Sequence, residues 1–75
     1  MTRKTLEENL GRKMNIRLYD GAEYTGILHK TGEEKYKNNP NVYYPKNYYF
    51  IEDEDTGEYS CIFRVSHVQN YKTLR

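Results

Sequence analysis

Apolar and polar residues alternate from Lys13 to Tyr19, with Met14, Ile16 and Leu18 on one side and Asn15 and Arg17 on the other. A period of two predicts a half-buried strand. Asp20-Gly21 follows, and then a second extended run, Glu23–Lys30, that holds Leu28 and an internal glycine, Gly26. Two such runs joined at Asp-Gly predict a β-hairpin. The internal glycine predicts a bend or bulge that lets the second strand curve. Extended character returns at Asn47–Asp53 and at Glu58–Val65, with a Glu54–Gly57 turn between them. In the latter run Tyr59, Cys61 and Phe63 fall on one face, and Ser60, Ile62 and Arg64 on the other. A tight corner at Ser66-His67 then leads to a short last strand, Val68–Thr73.

Two stretches break this rhythm. Leu6 and Leu10 are four apart and share one face of a helix, Thr5 with Glu8 resembles a capping box, and Gly11 is a natural stop. Together they predict a short helix over residues 4–11, laid on the sheet through its two leucines. Residues 31–46, TGEEKYKNNPNVYYPK, are rich in turn formers and predict an enlarged loop with an extended, tyrosine-bearing excursion. The chain therefore reads as one mainly-β domain, residues 1–75. A helix (4–11), a first hairpin (13–30), an enlarged loop (31–46) and the remaining strands (47–73) build a five-stranded, strongly bent small barrel.

Composition narrows the function classes. A 75-residue chain buries a modest core. Its one cysteine, Cys61, offers no disulfide, so oligomerisation is the remaining route to added stability. The nine tyrosines argue against disorder despite 31% charged residues. A single cysteine, no apolar run long enough to span a bilayer and no apolar leader core predict a cytoplasmic protein without a membrane partner.

The formal net charge is +1, but the charges are segregated. Glu52, Asp53, Glu54, Asp55 and Glu58 form an acidic run, whereas Arg3, Lys4, Arg12, Lys13 and Arg17 outnumber Glu7 and Glu8 near the start. Basic and acidic residues are thus expected on different faces. His29, His67 and Cys61 lack the spacing of a metal site, the acidic run lacks that of a calcium loop, and no nucleophile–base set or phosphate-cradling glycine loop is present. No enzyme activity, cofactor or metal is expected.

The tyrosines Tyr36, Tyr43, Tyr44, Tyr48 and Tyr49 are interleaved with Lys30, Lys35, Lys37 and Lys46. Aromatic rings among lysines suit single-stranded nucleic acid. They equally suit a protein-binding patch or plain packing of the barrel and loop.

Taken in order, these segments resemble the Sm/LSm family of small β-barrels. Ile16, Leu18, Asp20, Gly21, Gly26 and Leu28 match the family's first motif, which continues in Asn47-Tyr48-Tyr49-Phe50-Ile51-Glu52. Phe63-Arg64-Val65-Ser66-His67-Val68 is similar to the second motif, with Val65 in place of a glycine. The resemblance implies a homo-oligomer that binds RNA, with Asn47 reading a base edge and Arg64 stacking on or bonding the base. Tyr44, Tyr48, Lys46 and His67 are further candidate contacts. Strand pairing between subunits would use the edges of the last two strands, with Ile62, Val68 and Tyr71 at the interface. Two other readings stay open. One is a protein-binding adaptor or inhibitor, such as a phage or other mobile element encodes, working through residues 36–49. The other is a small-nucleotide pocket between subunits.

Overall fold

The chain's computed structural model describes residues 2–43 and 47–74. The fold is mainly β: a short helix, α1 (Arg3–Glu8), then strands β1 (Lys13–Leu18) and β2 (Glu23–Lys30), one helical turn, α2 (Pro40–Tyr43), and strands β3 (Tyr49–Glu52) and β4 (Val68–Thr73). The four strands form one antiparallel sheet in the order β3-β2-β1-β4. β3 and β4 are its two ends, so the sheet is open.

Met14, Ile16 and Leu18 are buried at alternate positions of β1, as the period of two requires. The reversal into β2 uses the short side chain and the free backbone that Asp-Gly supplies. The Asp20 carboxylate accepts from the Ala22 N–H at 2.9 Å, and Gly21 has φ +93°. β2 pairs with β1 through residues 23–27 and with β3 through residues 27–30. Gly26 lies beside that handover, with the Glu52 backbone packed against it. β1 pairs with β4 on its other side, and a bulge between Arg17 and Leu18 adds to the curl.

Four sequence expectations need correction. The helix starts earlier than residue 4, because the Thr2 hydroxyl, not that of Thr5, caps it by accepting from the Thr5 N–H at 3.2 Å. That start carries Leu6 into full burial in the core. The described part of the 31–46 loop is helical rather than extended, with a 3-10 turn at Glu34–Tyr36 followed by α2. The corner before β4 is likewise a 3-10 turn, Val65–His67.

Finally, the run Glu58–Val65 is no regular strand. It meets the outer edge of β3 at two isolated bridges, Tyr49↔Phe63 and Glu52↔Tyr59. Between them residues 59–63 face residues 49–52, so the outer segment is one residue longer and must bulge. The Ser60 hydroxyl fills the resulting gap by accepting from the Ile51 N–H at 2.9 Å. The bulge inverts the face assignment. Phe63 enters the main core, Tyr59 and Ile62 turn to the opposite side of β3, and Cys61 is exposed.

β3 is therefore covered on both faces. Tyr49 and Ile51 join Met14, Ile16, Leu28 and Phe63 in the main core, with α1 closing over it through Leu6. Phe50 points the other way, into a second cluster with Tyr36 and Val42 from the loop, against which Tyr43 and Ile62 pack. His29 lies in the same cluster, 8% exposed, bonded to Glu52 at 2.8 Å and 5.5 Å from the Phe50 ring. Burying a ring of this size contributes roughly 1.5–3 kcal/mol. Two members of the tyrosine cluster, Tyr36 in the loop and Tyr49 in β3, are spent on packing, at 7% and 1% exposure.

Candidate nucleic-acid interface

The start of β3 gathers residues from three distant parts of the chain. Thr31, just past β2, is buried, and its hydroxyl accepts from the Tyr48 N–H at 3.0 Å and donates to the Tyr48 carbonyl at 3.2 Å. This extends the ladder one step beyond Lys30↔Tyr49 and fixes the backbone of Tyr48. Asn47, one residue earlier, holds φ +71°, a left-handed conformation that asparagine tolerates better than most residues. Across the edge, the Tyr49↔Phe63 bridge sets Tyr48 opposite Arg64, whose guanidinium lies 5.9 Å from the centre of the Tyr48 ring. That is within cation–π range.

The third part is α1. Arg3 Nη2 donates to Asn47 Oδ1 at 2.6 Å. The helix is moored below this contact by Glu7, whose carboxylate accepts from the Tyr49 hydroxyl at 2.8 Å and from Lys30 Nζ at 3.1 Å. Burial alone would raise the Glu7 pKa. The hydrogen bonds from Tyr49 and Lys30 and the charges of Lys30 and Arg3 outweigh it, and the net shift is downward. Burial and the bond to Glu7 push the Tyr49 hydroxyl the other way, upward, so it stays protonated.

Of the sequence candidates, the structure brings Asn47, Tyr48 and Arg64 together, and His67 touches the backbone of Arg64. That contact is long: the His67 Nδ1 accepts from the Arg64 backbone N–H at 3.4 Å. Tyr44 and Lys46 lie outside the described residues. The expected interface residues part company. Val68 is buried in the main core, Ile62 packs on the second cluster, and Tyr71 is 41% exposed. Sequence reasoning missed Arg3. The basic excess near the start was visible, but not where the helix would carry it.

Charge is polarised along β3. Arg3 and Arg64 stand at its beginning, and Glu52, Asp53 and Glu54 at its end, where Lys13 pairs with Glu54 at 3.3 Å. An apolar groove of about 460 Å³ opens near His67, between Tyr19, Tyr24, Ile62 and Phe63. Among the described residues no group of His, Cys, Asp and Glu is arranged to hold a metal ion, and no helix is long and apolar enough to cross a membrane. No family model, curated protein or solved structure matches the chain.

Proposed function

We propose that the chain is a non-enzymatic RNA-binding protein of Sm-like type that works as a homo-oligomer. The observation that carries this reading is the meeting of Asn47, Tyr48 and Arg64 at one cationic end of the open sheet. A ring, a guanidinium plane and a carboxamide side by side are what a splayed-out base needs for stacking and for edge recognition. The strand order, with residues 59–63 bridged to the outside of β3 and β4 on the far side of β1, supports a small-barrel layout. The outer edge of β4 suits pairing between subunits, since Gln69–Thr73 are exposed throughout. Protein binding through residues 36–49 has less support, because Tyr36, Val42 and Tyr49 are consumed by packing.

The test is fluorescence anisotropy with a mixed-sequence single-stranded RNA. Binding should weaken steeply with salt. Arg64→Ala should weaken it about tenfold without changing the mass measured by light scattering. Wild-type protein that shows no salt-sensitive RNA binding overturns the reading.

A further inference from the structure

The Arg3–Asn47 contact bears on which base this site accepts. A guanidinium has donors only, so the Asn47 atom that faces it at 2.6 Å is the carboxamide oxygen. A charge-assisted bond this short takes one of that oxygen's two lone pairs and weakens the other as an acceptor, so Asn47 offers its NH2 more readily than its oxygen. Arg3 is not a loose end. It opens α1, which is seated by the fully buried Leu6 and by the Glu7 bonds to Tyr49 and Lys30.

The neighbours repeat the pattern. Arg64 carries only donors. His67 accepts from the Arg64 N–H through Nδ1, so in the neutral ring its Nε2 bears the hydrogen and is a donor as well. The Tyr48 hydroxyl is the one group of the set that both gives and takes.

We propose that Arg3 is a specificity-determining residue that biases the site toward base edges presenting two adjacent acceptors. This rests on the RNA reading above. Cytosine presents O2 and N3 as two adjacent acceptors, with its N4 amino donor on the far side of N3. Uracil places an N3–H donor between its carbonyls, and that hydrogen would meet an Asn47 oxygen already bound to a cation. A donor left without a good acceptor loses the bond and keeps the cost of desolvation. Phosphates are acceptors too, but they are common to every sequence and do not discriminate.

The experiment compares nine-nucleotide oligo(C) and oligo(U) RNAs by anisotropy at one low salt concentration, with wild type, Arg3→Ala and Arg3→Lys. Wild type is expected to bind oligo(C) about fivefold more tightly than oligo(U). Arg3→Ala loses a charge and weakens both, but brings their ratio to about one. Arg3→Lys retains the charge and, if the bond to Asn47 re-forms, part of the preference. Thermal melts of the three proteins check that α1 stays docked. Equal binding by wild type, a preference for oligo(U), or a ratio that survives Arg3→Ala overturns the inference while the RNA reading stands. Failure to bind any RNA, the mixed sequence included, overturns both.

Discussion

A methyl group on residue 26 would collide with the carbonyl oxygen of Glu52 and stand 2.9 Å from the Ile51 side chain. Neither can retreat, because one is the backbone of β3 and the other is packed in the main core. The backbone at Gly26 also has φ +156°, which disfavours a side chain. Gly26→Ala is therefore expected to cost about 3 kcal/mol or more, read as a collapse of the urea midpoint by circular dichroism. A bend at Gly26 was legible from a glycine inside a strand pattern. The obstacle was not, since it belongs to a strand met much later in the chain. The cap shows the same limit at close range. Thr2 and Thr5 both suit an N-cap, and the structure uses Thr2.

Among the elements, the segment facing β3 depends most on one side chain. Ser60 takes the Ile51 N–H through its hydroxyl and passes its own hydrogen to the Cys61 carbonyl at 2.9 Å. Ser60→Ala would leave the N–H of a buried strand residue without its partner, at a cost of about 1–3 kcal/mol. Hydrogen exchange should then accelerate at Ile51 more than at Phe63, whose backbone bonds to Tyr49 remain. Unchanged exchange at Ile51 would count against this role. Strands β2 and β4 were readable to the residue, and β1 nearly so, because Gly11, Asp20-Gly21, Gly32 and the Ser66-His67 corner mark their ends. The Glu58–Val65 run was misread because one extra residue inverts every face assignment beyond it. A bulge that sits between two otherwise plausible halves leaves no mark on apolar alternation.

The whole molecule hangs together partly through a carboxylate that ties α1 to both β2 and β3. Glu7 has its pKa depressed from an ordinary 4.5 in the folded state. A depressed carboxylate adds stability above its unfolded pKa, and that stability is lost as pH falls through the folded value. Melting temperature should accordingly fall below about pH 4.5. In Glu7→Gln the acid slope should be shallower and the melting temperature at pH 7 a few degrees lower. The carboxylate is 35% exposed, so solvent screening keeps the effect modest. A parallel acid slope in the two proteins would remove Glu7 from the account. At this scale the basic excess near the start was legible in the sequence, and the resemblance to the small-barrel motifs implied that Asn47 and Arg64 meet. Neither showed Arg3 reaching Asn47, because the docking of a helix depends on contacts between segments far apart in the chain.

The pairing of β1 with β4 also has a bearing on how the molecule is made. Met14 faces Thr73 and Leu18 faces Val68, so the second partner of β1 comes from the far end of the chain. Contacts this distant in sequence close large loops and slow folding. During synthesis the β1–β2 hairpin and the 31–43 turns can form early, but β1 keeps an unpaired edge until residues 68–73 have left the ribosome. Until then a nascent chain exposes that edge to its neighbours on the same message, and one of them could pair with it before its own β4 arrives.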